Sequence, residues 1–72
     1  MQFQAVVWKE ENMYVIKEAL IGIATQGKTI EEAISNIKEA LELYLEEMPE
    51  VRQDLKNVKT VGAFSIEIAQ DF

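Results

Sequence analysis

The sequence predicts a single α+β domain: one three-to-four-stranded sheet with one long helix packed on one face, in the order β-β-β-α-β. Three observations carry that expectation. Two apolar runs flank a tight polar turn at Glu11-Asn12, one long helical stripe begins at a capping signal after Gly27, and apolar residues alternate after Thr60. Seventy-two residues allow one domain, 1–72, with no internal repeat and no low-complexity segment.

Phe3 to Glu10 and Met13 to Ala19 are rich in β-branched and aromatic residues, and Glu11-Asn12 between them reads as a two-residue hairpin turn, with Asn able to take positive φ. That pairing sets Trp8 opposite Val15 and Val7 opposite Ile16. Alternation then divides the hairpin into two faces. Phe3, Val7, Tyr14, Ile16 and Leu20 form the face expected to lie under the helix. Val6, Trp8, Met13 and Val15 form the other, diluted by Gln4, Glu10 and Lys17, with nothing in a short chain obviously available to cover it. A third strand, about 21–26, is expected to follow a bend near Leu20 to Gly22.

The helix is expected from about Ile30 to Met48. Thr29 can accept from the N–H three residues on, and Glu32 can reach back to the Thr29 N–H, which is a capping box. Ile30, Ala33, Ile34, Ile37, Ala40, Leu41, Tyr44, Leu45 and Met48 recur at three- and four-residue spacing. Pro49 cannot continue the helix, and Glu46 and Glu47 sit poorly at its negative end, where fraying is expected. Glu50 to Lys59 reads as a polar connector with room for one further helical turn. Phe64, Ile66 and Ile68 alternate with Ser65, Glu67 and Ala69, the mark of a half-buried fourth strand. Phe72 is expected to fray or to add to an oligomer contact.

With no Cys and no His the chain has no disulfide, no thiolate metal site and no imidazole base. Ser35 and Ser65 therefore have no activating partner. Glu18 and Glu67, inside predicted strands, are expected to face solvent rather than a metal, and Gly27 reads as a turn residue entering the helix rather than a phosphate cradle. No catalytic residue, cofactor or metal site is expected, and the chain is not expected to be an enzyme. The net charge of −6 is repelled by phosphate backbones, so direct DNA or RNA binding is not expected. No apolar run spans a membrane and no leader precedes the first strand, so a cytoplasmic protein is expected. A core this small supplies roughly 3–5 kcal/mol, which makes self-association the most available extra stabilisation. Trp8 serves equally as a core residue or as an interface anchor, and Val6, Trp8, Met13 and Val15 are the candidate partner or oligomer interface.

The chain resembles the HicB-like antitoxin domain in three segments: the hairpin with Tyr14-Val15-Ile16; Leu20-Ile21-Gly22-Ile23-Ala24-Thr25-Gln26-Gly27, similar to a "leucine, any residue, glycine … glutamine-glycine" stretch; and Thr29-Ile30-Glu31-Glu32-Ala33-Ile34-Ser35-Asn36-Ile37-Lys38-Glu39-Ala40, similar to a "T-x-E-E-A-x-x-N-x-x-E-A" pattern. The resemblance implies a partial ribonuclease H-like fold, here with no carboxylate in the first-strand stretch Phe3-Gln4-Ala5-Val6-Val7-Trp8. It also implies an antitoxin that binds a small basic HicA-type mRNA-cleaving toxin and blocks its active site. Family members often add a helix-turn-helix or ribbon-helix-helix module. None follows the fourth strand here, so no DNA-binding role is expected. Glu18-Ala19 stands where the family often has proline. The alternative expectation is a stand-alone homo-oligomeric domain, with a regulatory role and no toxin, that associates through the Trp8 face or a free sheet edge.

Overall fold

The computed structural model describes residues 2–69; Phe72 lies outside them. The α+β class holds. An antiparallel sheet in the order β1-β2-β3 comprises β1 (Ala5–Glu10), β2 (Met13–Glu18) and β3 (Ala24–Gly27), and carries α1 (Ile30–Glu47) on one face, followed by α2 (Pro49–Leu55). The hairpin register is the one the turn dictates, with Trp8 opposite Val15 and Val7 opposite Ile16. The positive φ of the turn falls on Glu11 (53°) and not on Asn12. Among the described residues, no helix is long and apolar enough to cross a membrane.

The helix starts where the cap predicts. Thr29 Oγ1 accepts from the Glu32 N–H at 3.0 Å. Glu32 reaches one residue further back than a capping box requires and accepts from the Lys28 N–H at 3.2 Å. Of the predicted stripe, Ala33, Ile37, Leu41 and Leu45 are buried. With Ile16 of β2, the first three form the core, and Phe3, Tyr14, Ile21 and Ile23 pack against it. Each fully buried Ile or Leu contributes about 1.5–3 kcal/mol. At the other end Met48 leaves helical geometry, and its N–H still donates to the Tyr44 carbonyl at 2.9 Å. Pro49 then opens α2 at a position that needs no N–H donor.

Helix α1 lies over β2 and β3 rather than over the middle of the sheet. Three contacts hold it there. Gly27, buried at the end of β3, brings its Cα against the first helical turn; a Cβ built on it would stand 2.6 Å from the Ala33 nitrogen and 2.9 Å from the Glu32 Cβ. Thr25 Oγ1 donates to the Ala33 carbonyl at 3.0 Å, and Asn36 Nδ2 donates to the Gln26 carbonyl at 2.9 Å. Gly27 is therefore a close-approach residue more than a turn residue. The offset leaves Val7 on the edge strand and Ile34 on the helix exposed, although both were expected in the core, and Leu20 is exposed in the bend.

Three sequence expectations are corrected. The third strand begins at Ala24, because 20–22 wind into a turn in which Gly22 takes φ 92°. Glu18 does not face solvent. It is fully buried, and its carboxylate accepts from the N–H groups of Leu20 (2.5 Å), Ile21 (2.7 Å) and Gly22 (3.3 Å). Three consecutive N–H groups of a bend that cannot join a ladder need an acceptor, and the carboxylate supplies it. Finally, the fourth strand does not form within the single chain. The connector makes the two turns of α2, and residues 58–69 have no regular secondary structure, with Phe64, Ile66 and Ile68 exposed. The alternation of that segment is real, but among the described residues β1 remains the sheet edge with no strand on that side.

Two substitutions test these contacts. Gly27→Ala places a methyl against backbone that cannot yield and is expected to destabilise by about 3 kcal/mol, the upper end for overpacking. Glu18→Ala orphans three N–H groups and is expected to cost about 3 kcal/mol. Denaturant unfolding followed by circular dichroism measures both, and losses below about 0.5 kcal/mol would contradict the assigned roles.

Candidate interaction surface

Among the described residues, two surfaces of this domain are left without a covering element. The first is the outer face of the sheet. The register sets Val6 beside Lys17, Trp8 beside Val15 and Glu10 beside Met13, all turned away from α1, so the four predicted residues Val6, Trp8, Met13 and Val15 do share one face. Val6 and Trp8 are exposed, Trp8 at 39%, while Met13 and Val15 are half-buried by their neighbours. The Trp8 indole N–H donates to Glu10 Oε1 at 3.0 Å on the same strand. Its polar atom is thus satisfied locally, and the residue is part-exposed rather than enclosed in the core. On the helix side the neighbouring pair behaves differently. Lys9 Nζ stands 5.6 Å from the Tyr14 ring centroid, a cation–π contact.

The second surface is the free edge of β1 and the groove beside it. Gln4 offers its carbonyl to the Ala19 N–H at 2.9 Å, which fixes the phase of the strand. Ala5, Val7 and Lys9 therefore turn their N–H and C=O groups outward, away from β2. Over this edge, between the strand and the flank of α1, opens a groove of ≈ 710 Å³ with Ala5 and Ile16 on the strand side and Ile34, Ile37 and Leu41 on the helix side. Lys38, Arg52 and Lys56 also line it. Sequence reasoning named a free sheet edge but did not locate it at β1 or foresee the groove, which depends on where α1 settles over the sheet. The exposed position of Ile34 in the helical stripe is a trace of it, since a stripe wider than one sheet edge needs something further to cover it.

Helix α1 presents the charge. Glu31, Glu39, Glu42, Glu46 and Glu47 are exposed along it, and Glu50 and Asp54 continue the acidic surface on α2. Among the described residues, no three His, Cys, Asp or Glu side chains converge as metal ligands. The Glu18 carboxylate is engaged by the bend, and Glu67 is exposed.

The fold and its surfaces define a small α+β domain with an open sheet face, an open strand edge and an acidic helical side. The chain belongs to the UPF0150 family. It is 36% identical over 70 residues to a UPF0150 protein of Archaeoglobus fulgidus, covering 94% of this chain and 96% of the relative. It is 41% identical over 70 residues to a UPF0150 protein of Helicobacter pylori, covering 96% and 97%. A UPF0150 protein of Thermoplasma acidophilum is 42% identical over 50 residues, covering 67% and 72%. These names state a family and assign no activity, ligand or partner. No family model matches the chain, and no solved structure gives a significant match.

Trp8 is the only tryptophan, so its fluorescence reports the outer face alone. With this face uncovered, emission is expected to be red-shifted and readily quenched by acrylamide. A blue-shifted, quencher-resistant signal from the isolated chain would contradict the exposure described.

Proposed function

We propose that this domain is an antitoxin-type binding module that sequesters a small basic mRNA-cleaving toxin of the HicA kind by covering its active site. The observation that carries the reading is the placement of Val6, Trp8, Met13 and Val15 together on the one sheet face that α1 leaves open, in a chain of net charge −6. A buried aromatic anchor ringed by smaller apolar contacts is the usual centre of a tight interface. The exposed glutamates of α1 supply the complementary field that draws in a cationic partner and speeds its encounter. The resemblance of the Thr29–Ala40 segment to HicB-like antitoxins supports the same partner class. In this reading the module acts by occupancy, without chemistry of its own, and works in the cytoplasm, where messenger RNA is the toxin's target.

The test mixes the chain with the small basic protein encoded beside it and measures mass by light scattering after size exclusion. A heavier species containing both proteins, together with loss of RNA cleavage, is the expected result, and Trp8→Ala is expected to weaken the complex at least tenfold, about 1.4 kcal/mol or more. Failure of any such neighbour to bind or to be inhibited would end this reading.

A second reading has its own observation. The unpaired edge of β1 and the exposed apolar segment after Thr60 favour a stand-alone homo-oligomeric domain with no toxin partner. A free edge of six residues is a template for another strand, and a small core gains stability from a second copy.

A further inference from the structure

We propose that two copies of this chain exchange their C-terminal segments, each laying 64–69 as a fourth strand along the free β1 edge of the other. The inference rests on the self-associating reading and is independent of any toxin. Four observations carry it.

The segment has the pattern of a strand and the exposure of an unplaced one. Phe64, Ile66 and Ile68 alternate with Ser65, Glu67 and Ala69, yet they stand 87%, 84% and 72% exposed. Contiguous apolar surface of this kind is the mark of an interaction site. The chain also offers a receptor of the right shape. Six residues of extended chain reach about 20 Å, the length of the six-residue β1 whose outward groups at Ala5, Val7 and Lys9 have no strand beside them. The inward side chains of an added strand would meet the groove bounded by Ala5, Ile34 and Leu41. Ile34, expected in the core and left exposed by the single chain, lines the same groove.

The path of the chain argues for exchange rather than self-closure. Residues 58–63 line one cleft with Gln4, Ala5 and Val6 at the start of β1 and with Ala19 and Leu20, and Phe64, Ile66 and Ile68 beyond it are exposed. An exposed segment with strand alternation and an unpaired edge on the same molecule are complementary halves of one contact. Reciprocal exchange uses each half once and closes as a two-fold dimer without leaving a sticky end. Thr60 to Ala69 carries one charge, Glu67, so inserting it brings little of the −6 of one copy onto the other. Each β1 edge is thereby paired, which removes the aggregation hazard that an open edge presents.

The experiment is light scattering after size exclusion on the chain alone, over a hundredfold range of concentration. The wild-type chain is expected at twice the chain mass and the double variant F64D/I66D at the single mass, with an unchanged helical circular dichroism spectrum because these side chains lie outside the core. A peptide of Thr60–Ala69 with flanking lysines, added to the ¹⁵N-labelled double variant, is expected to shift the amide resonances of Ala5, Val7 and Lys9. A wild-type chain that stays monomeric at every concentration would overturn the exchange. So would a dimer that survives in F64D/I66D, or a peptide that leaves those three amides unmoved. Dimer lost in W8A but kept in F64D/I66D would place self-association on the outer face instead. None of these outcomes depends on a toxin, so the two proposals stand or fall separately.

Discussion

The close approach of β3 to the first turn of α1 governs the rest of this structure. Gly27 lets the two backbones meet at a separation that any Cβ would prevent, and Thr25 and Asn36 lock the approach with hydrogen bonds to Ala33 and Gln26 carbonyls. A helix pinned at its start over β3 crosses β2 and buries Ala33, Ile37 and Leu41 on Ile16. It then has no width left for β1. Helix cylinders are about 10 Å across and strands about 5 Å apart, so one helix covers two strands well and a third poorly. The open edge and the groove above it follow from that anchoring.

The bend between β2 and β3 shows the same economy. A turn that places Leu20, Ile21 and Gly22 outside any ladder must find acceptors for three N–H groups, and Glu18, still on the strand, supplies them with one carboxylate. A proline at the bend would remove a donor instead of satisfying one. The buried carboxylate orders Ile21 and Ile23, which pack on the core.

Much of the fold was legible in the sequence because it rests on local chemistry. The hairpin register follows from Glu11-Asn12, the helix start from Thr29, and its end from Pro49, and each depends on neighbours only a few residues away. The four outer-face positions, Val6, Trp8, Met13 and Val15, were legible for the same reason, since strand alternation and register suffice to gather them. What was not legible depends on where elements settle in space. Glu18 reads as a solvated carboxylate until the bend beside it is seen to need an acceptor. Val7 and Ile34 read as core until the offset of α1 is known. Phe64, Ile66 and Ile68 read as a strand of this sheet, because periodicity reports that a segment wants one buried face and is silent on which molecule buries it. A free sheet edge was an expectation, but its location at β1 and the groove over it depend on where α1 settles.

The position of α1 is the claim on which both surfaces depend, and methyl nuclear Overhauser contacts measure it directly. Strong contacts from Ile16 to Ala33 and Ile37 are expected, and none from Val7 to either. Contacts joining Val7 to Ala33 or Ile37 would place the helix across the centre of the sheet, close the groove over β1, and contradict the account.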